Sequence, residues 1–487
     1  MCGLLGVFGK FDEKEYENHV RNIDDLIFRR GPDQVNSIKN DSFYGLHSRL
    51  IIQGDILDGV QPFEYKNIVV LFNGNLYNKF AIKKELEGSG YKISGASDTE
   101  VVAVALHSWG VSAFEKFNGF FSIALYDKSK KELTLARDKH GQKPIYYSST
   151  SKAIYFGSTE NMIPEACRGK IRSESYIDFI TYGFVPAPFT MFENMHLLEP
   201  ATYMIFRTYE SVIKGFNKIR YWRPEITDDI TNIDDAHDAL SFELKHAVYD
   251  GLQADTNVAC LYSGGVDSSL LFSYARDINK EIYTITADFG ADDDAAERAL
   301  PLISAYKHDN YVIKRINSKD VSQSLLDVGR ICESPFDDTS VIPCNMVFSA
   351  VKKEGYRVAI TGDGADELFC GYQSFSNLNR IKTILDPRFD TARRGIRSIF
   401  GYIPDKYKTA NFNRYFMNEK DLLTDLSCNG FKKREWGEGI NSDYDPFHHI
   451  ETLMSDFSGL DVISKHRMLN LTFKLPNQML YKIDRTS

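Results

Sequence analysis

The chain has 487 residues, 43% of them hydrophobic and 26% charged, which is enough for two or three folded domains and unlike a disordered or fibrous protein. Its formal net charge is −9, and no lysine or arginine run forms a phosphate-tracking stripe, which argues against nucleic acid or an anionic membrane as a partner. The seven cysteines (Cys2, Cys167, Cys260, Cys332, Cys344, Cys370 and Cys428) are odd in number and include no CxxC pair, so free thiols in a reducing compartment are expected. No basic n-region precedes the first apolar residues, and no run of about eighteen apolar residues occurs. Neither a secretory signal nor a membrane span is therefore expected, and the location reads as cytoplasmic.

Residues 1 to about 210 carry short β-like runs at 4–8, 68–73, 120–126, 133–137, 145–147 and 153–157. Turn chemistry separates them, as in Arg30-Gly31-Pro32-Asp33, Asn73-Gly74 and His140-Gly141. Helical patterns near 14–28 and 98–109 interrupt the strands, and the absence of regular βα alternation predicts an α+β sandwich. The segment holding Pro186, Pro188, Pro200 and Arg223-Pro224 is the candidate domain junction. From about 232 the texture changes. A helical stretch at 234–251 leads to apolar runs at 258–262, 282–287 and 356–361, and short buried strands alternating with helices predict a parallel α/β sheet. Residues 375–475 read as mostly helical.

Chemistry begins at the second residue. A small residue after the initiator permits removal of Met1, which would leave Cys2 with both a thiol and a free α-amine. An amine of pKa about 8 can take the thiol proton, and the thiolate attacks a carboxamide carbon well. Asn73-Gly74 offers a side-chain amide and a backbone N–H for an oxyanion hole, Arg49 can clamp a carboxylate, and Asp98 can receive an α-ammonium. Together they match the groups of glutamine. Each has an ordinary alternative: a surface ion pair for Arg49, a hairpin turn for Asn73-Gly74, a helix start for Asp98. Glu100, three residues after Ser97, would complete a capping box there.

In the second half, Ser263-Gly264-Gly265-Val266-Asp267-Ser268-Ser269 lies between an apolar run and a helix. Its glycines and the helix N-terminus suit an anion, and with no GxxxxGK[ST] lysine the loop is better matched to pyrophosphate than to a γ-phosphate, which points to adenylation. The alternative is a glycine turn that only permits close strand–helix packing. A second loop, Thr361-Gly362-Asp363-Gly364-Ala365-Asp366-Glu367, would share the carboxyl edge of the same sheet. Asp267 and Asp366 could then share Mg²⁺ with the phosphates, unless these acids serve as solvated caps.

The motifs Met1-Cys2-Gly3-Leu4-Leu5-Gly6, Arg30-Gly31-Pro32-Asp33, Phe72-Asn73-Gly74, Ser97-Asp98-Thr99-Glu100, Phe117-Asn118-Gly119-Phe120-Phe121, Ala136-Arg137-Asp138 and Gly141-Gln142-Lys143-Pro144 follow one another in one order. This series resembles the class II glutamine amidotransferase domain that heads glutamine-hydrolysing asparagine synthetases. The resemblance implies a four-layer sandwich of the N-terminal nucleophile type, with Cys2 as nucleophile and Asn73 and Gly74 as the oxyanion hole. Arg49, Asn73, Gly74, Asn75 and Asp98 would bind glutamine. Where the family usually reads Asn-Gly-Glu this chain has Asn75, a weaker acceptor for the α-ammonium. The second half resembles the same family's ATP-pyrophosphatase-like domain, through the 263–269 string, the 361–372 string and Lys482-Ile483-Asp484-Arg485-Thr486-Ser487. It implies that Leu261, Ser263, Gly264, Gly265, Asp267, Ser268, Ser269, Ala287, Thr361 and Gly362 bind ATP. Asp363 and Glu333 would stand at an acyl-adenylate, and Asp267 and Asp366 would hold Mg²⁺.

The expectation is therefore a glutaminase domain at 1–210 and an adenylating domain with a helical C-terminal part at 232–487. Family members usually continue past the Asp-Arg-x-Ser motif, so the second domain reads as cut short. The substrates implied are glutamine, ATP and a carboxylic acid, aspartate by default. Amidation of a sugar uronic acid, or a glutaminase or regulatory protein with an inactive synthetase half, are the competing readings. The family often dimerises, so a homodimer is compatible with the resemblance.

Overall fold

The computed structural model describes residues 1–382, 417–430 and 444–487, apart from 55, 96, 210–211, 228–229 and 291–293. Parts of the expected helical stretch 375–475, at 383–416 and 431–443, lie outside the described residues.

Two six-stranded antiparallel sheets form the first half. One contains β1 (Gly3–Gly9), β2 (Gln34–Asn40), β3 (Phe43–Arg49), β8 (Tyr146–Ser149), β9 (Ala153–Gly157) and β10 (Met195–Leu197), in the order β10-β8-β9-β1-β3-β2. The other contains β4 (Phe63–Tyr65), β5 (Ile68–Leu76), β6 (Gly119–Asp127), β7 (Glu132–Arg137), β11 (Thr202–Tyr209) and β12 (Val212–Arg220), in the order β12-β11-β7-β6-β5-β4.

Strand alternation sorts the side chains into layers. Leu4 and Phe8 of β1 meet Val69 and Leu71 of β5 and Leu133 and Leu135 of β7 in the core between the sheets. Leu5 and Val7, pointing the other way, pack against Tyr16 and Ile27 of the helices Glu13–Asn22 and Asp24–Arg30. On the far side Ile68, Val70 and Phe72 meet Val101 to Leu106 of the helix Asp98–Trp109. Helix, sheet, sheet, helix is the four-layer sandwich expected. Each fully buried Leu, Val or Phe contributes about 1.5–3 kcal/mol relative to exposure.

Two local expectations are corrected. Asn73 and Gly74 do not make a turn; they lie within β5 and pair with Ser122 and Phe121 of β6. Gly74 is required there, because a Cβ would stand 2.1 Å from the Phe120 carbonyl oxygen. Ser97 does cap its helix, accepting from Thr99 N, but Glu100 reaches back to the amide of Gly95 and not to that of Ser97, so no capping box forms.

The second half contains a parallel sheet in the order β15-β14-β13-β16, built from β13 (Val258–Leu261), β14 (Tyr283–Asp288), β15 (Tyr311–Arg315) and β16 (Val358–Ile360). The neighbours β13 and β16 point their carboxyl ends the same way, which puts the loops that follow them side by side. Between the halves Tyr182 and Phe184 share a buried cluster with Leu378, Leu422, Leu423, Phe447, Ile450, Leu469 and Phe473. The rings of Tyr182 and Phe473 lie 4.9 Å apart between centroids.

Candidate active site

β1 begins at Gly3, paired with Ser48 of β3, and this sets Cys2 against the end of β3. The Cys2 thiol accepts from Leu50 N at 3.4 Å and lies 3.7 Å from the Leu50 carbonyl, while the Cys2 carbonyl accepts from Arg30 Nε at 3.1 Å. Cys2, Arg49, Gln53, Gly74, Asn75 and Asp98 line one cleft of about 390 Å³. Asn73, beside Gly74 on β5, is 2% exposed, and its Nδ2 has no partner among the described residues. A buried amide donor left unpaired costs stability, so such a group marks a place where a ligand oxygen fits.

Arg49 ends β3. Its Nη2 donates to the Gln53 carbonyl at 3.3 Å, and its buried Nη1 has no partner among the described residues. Asp98 opens its helix and accepts from Leu76 N at 3.1 Å. Burial raises its carboxyl to about 6, against the opposing pull of that hydrogen bond and of Lys79 and Arg49. Asn75 accepts from Gln53 Nε2 at 3.1 Å, so its side-chain carbonyl is already engaged.

The wall of this cleft involves residues the sequence did not single out. Gln61 bridges β5 and the helix at Asp98, donating to the Phe72 carbonyl at 3.0 Å and to Thr99 Oγ1 at 3.3 Å. Gln53 also donates to the carbonyl of Gln253, and Gly54 N donates to Asp255 at 2.6 Å. Asp33 accepts from Ile51 N at 2.8 Å and from Arg357 at 2.5 Å. The loop over the cleft is thus held by segments next to β13 and β16. No local pattern announces the contacts to Gln253, Asp255 and Arg357, whose partners lie two hundred or more positions away in sequence.

At the parallel sheet, Ser268 Oγ accepts from Ser263 N at 3.2 Å and donates to the Gly265 carbonyl at 3.2 Å, closing the loop ahead of the helix Val266–Ile278. Gly264 has φ +74°, and a Cβ there would meet the Arg298 backbone at 2.6 Å. A Cβ on Gly362 would lie 3.4 Å from that of Asp267, so the two loops touch. The carboxyl of Asp366 is raised, by burial first and then by the charge of Asp267. Two neighbouring carboxylates beside a phosphate-type loop fit a hard divalent cation that keeps phosphate ligands. Among the described residues no group of three or more His, Cys, Asp or Glu side chains could hold a metal by itself.

Leu261 ends β13, Ala287 lies in β14, and Thr361 and Gly362 follow β16, so the expected ATP-side residues share one sheet edge. Asp363 is exposed there, whereas Glu367 is buried and accepts from the Tyr372 hydroxyl at 2.6 Å. Glu333 is held by its own partners. It accepts from Glu160 N at 2.7 Å and pairs with Arg485 at 3.4 Å, beside a cavity of about 540 Å³ lined by Tyr146, Glu160, Ser334, Phe336, Tyr481 and Asp484. Burial raises the Glu160 carboxyl to about 7.

Two family models match the chain. Residues 1–222 match the glutamine amidotransferase domain model, and residues 239–487, more than half of the chain, match the asparagine synthase model. Glutamine-hydrolysing asparagine synthetase 1 of Bacillus subtilis is 28% identical over 414 residues, covering 83% of this chain and 63% of that protein. A putative glutamine-hydrolysing asparagine synthetase of Methanocaldococcus jannaschii is 26% identical across 79% of this chain and 78% of its own length. The chain thus spans less than two thirds of the Bacillus subtilis relative. Among solved structures, glutamine phosphoribosylpyrophosphate amidotransferase of B. subtilis overlaps with a TM-score of 0.33 at 13% identity, over 64% of this chain and 81% of that one, a likeness too slight to carry argument. No helix among the described residues is long and apolar enough to cross a membrane. With one family model covering more than half of its length, the chain belongs to the asparagine synthase family.

Proposed function

We propose that this chain is a glutamine-dependent amidotransferase of two half-reactions, with a glutaminase domain at 1–210 and an adenylating domain at 232–487. The observation that carries the reading is the convergence of Cys2, Arg49, Gly74 and Asp98 on one cleft. Glutamine fits it as a set of charges. Its α-carboxylate meets the free edge of Arg49, its α-ammonium meets Asp98 with Asn75 nearby, and its side-chain amide faces Cys2. The Cys2 thiolate adds to the amide carbon, and the oxygen that gains charge is received by Asn73 Nδ2 and the Gly74 region of β5. Collapse expels ammonia and leaves a thioester, which water hydrolyses to glutamate and free thiol.

The base in this scheme is an α-amine on Cys2, so removal of Met1 is part of the proposal. The Met1 amine lies buried in this region and is held down to about 5, by burial first and then by Arg30.

The second half-reaction joins a carboxylate to the α-phosphate of ATP, releasing pyrophosphate. Ammonia then attacks the acyl-adenylate to give an amide and AMP. The loop 263–269 and the N-terminus of the helix Val266–Ile278 supply donors for the pyrophosphate, and Leu261, Ala287, Thr361 and Gly362 border the nucleotide. Asp363 stands at the open edge for the acyl group. Asp267 and Asp366 would hold Mg²⁺, whose charge offsets that of the leaving pyrophosphate. Aspartate is the acceptor proposed, with asparagine as product. Exchange of labelled pyrophosphate into ATP, dependent on aspartate, is the expected result. Exchange driven only by another acid would overturn the acceptor, and no exchange with any acid would overturn the adenylation.

A further inference from the structure

The helix Leu480–Thr486 belongs to the second half of the chain, yet one of its side chains reaches the arginine that holds Cys2. Asp484 is 3% exposed. Its carboxylate accepts from Arg30 Nη1 at 2.7 Å and Nη2 at 3.3 Å, and it pairs with Lys143 Nζ at 3.4 Å. The same Arg30 donates its remaining Nε to the Cys2 carbonyl at 3.1 Å. A residue 454 positions from Arg30 therefore anchors the side chain that holds the main chain of the nucleophile.

The chemistry of arginine makes this arrangement directional. The guanidinium is a planar fork, so a carboxylate gripping two of its nitrogens fixes where the third points. Without that carboxylate, Arg30 and Lys143 would be neighbouring buried cations with no shared anion. One of them would have to swing away or draw in water. Either way the Cys2 carbonyl loses a fixed donor, and a nucleophile displaced by about 1 Å reacts on the order of a hundredfold more slowly.

We propose that Asp484 is a positioning residue for glutamine hydrolysis, acting through Arg30 on the Cys2 main chain, so that the second half of the chain completes the active centre of the first. The neighbouring side chains support a linking role. Arg485 pairs with Glu333 and donates to the Tyr146 hydroxyl, Lys482 pairs with Asp338, and Thr486 contacts Cys344. Between them, side chains of one short helix thus touch both halves. This inference rests on Cys2 being the glutaminase nucleophile.

The test uses the full chain carrying Asp484→Asn, which keeps the shape and removes the charge. Glutamate release is followed against glutamine concentration. Inactivation by diazo-oxo-norleucine is followed in parallel, because it separates binding from attack by Cys2. The expected result is a kcat lower by about tenfold or more, with KM within about threefold, and an inactivation rate that falls with kcat at unchanged inhibitor affinity. If the single variant melts below the assay temperature, Lys143→Met/Asp484→Asn preserves the charge balance while still leaving Arg30 unanchored, and the same split is expected. A kcat within about twofold of the parent in a folded variant would overturn the proposal, as would a change confined to KM. Failure of the underlying reading looks different: the parent chain itself would release no glutamate, or Cys2→Ala would release it as fast.

Discussion

The Cys2 thiol meets the backbone N–H and carbonyl of Leu50, and its reactivity is set by what surrounds it. Asn73 is the sharpest of those surroundings, a buried amide with an unpaired donor. Asn73→Ala is expected to lower kcat for glutamine hydrolysis by about 10²–10³ with little change in KM, read from steady-state glutamate release. Asp98 gives a pH dependence whose sign follows from burial. Its carboxyl is raised to about 6, so the free protein holds a carboxylate above that pH and a neutral acid below it. Only the carboxylate attracts an α-ammonium. KM for glutamine should be flat above pH 6 and rise by about tenfold per pH unit well below it, checked by a pH series of KM. A KM independent of pH between 4.5 and 7 would contradict the role given to Asp98.

At the scale of elements, strands written as apolar runs were legible, the short β8, β13 and β16 included, whereas polar or half-exposed ones were not. The expected run at 68–73 became β5 and extended to Leu76, because Gly74 and Asn75 still pair with β6 although their residue types suggest a turn. Position 74 is glycine for close approach to the Phe120 carbonyl, and sequence alone does not separate that need from turn formation. β2, with its sequence QVNSIKN, escaped notice because it is a half-exposed edge strand carrying polar residues. β15, the outer strand of the parallel sheet, has no buried residue and gave no apolar run to read. The cleft residues Cys2, Arg49 and Asp98 could be named from motifs, whereas Gln53 and Gln61 could not, since their partners are assembled only by the fold. The loop after β13 yields its own prediction. Gly264 has a positive φ and abuts the Arg298 backbone, so Gly264→Ala should distort the loop 263–269 proposed to hold pyrophosphate. ATP–pyrophosphate exchange is expected to drop by at least about tenfold while glutamate release is retained, since a Cβ costs rate through misplaced donors only at that loop.

At the scale of the whole molecule, the two halves are joined by packing as well as by polar contacts. Tyr182 is fully buried among residues of the C-terminal helices, and its hydroxyl donates to the Pro446 carbonyl at 2.8 Å. Tyr182→Ala should cost about 3–5 kcal/mol of that packing. Differential scanning calorimetry should show the melting transition moved down, or split into two if the halves come apart. By contrast the Arg357–Asp33 pair is partly exposed on the arginine side, and its loss should cost no more than about 1 kcal/mol. Hydrophobic contact thus carries the union, and the polar contacts at Asp33, Asp255 and Asp484 set its register around the Cys2 cleft.

The central claim is that nitrogen freed by Cys2 becomes the nitrogen of an amide made at the expense of ATP. Glutamine labelled with nitrogen-15 in its side-chain amide, supplied with ATP, Mg²⁺ and aspartate, tests this most directly by mass spectrometry of the products. The expected result is labelled asparagine in step with AMP and glutamate, abolished by Cys2→Ala and restored in unlabelled form by ammonium salts. Glutamate and free labelled ammonia with no ATP-dependent amide, or label transfer that survives Cys2→Ala, would contradict it.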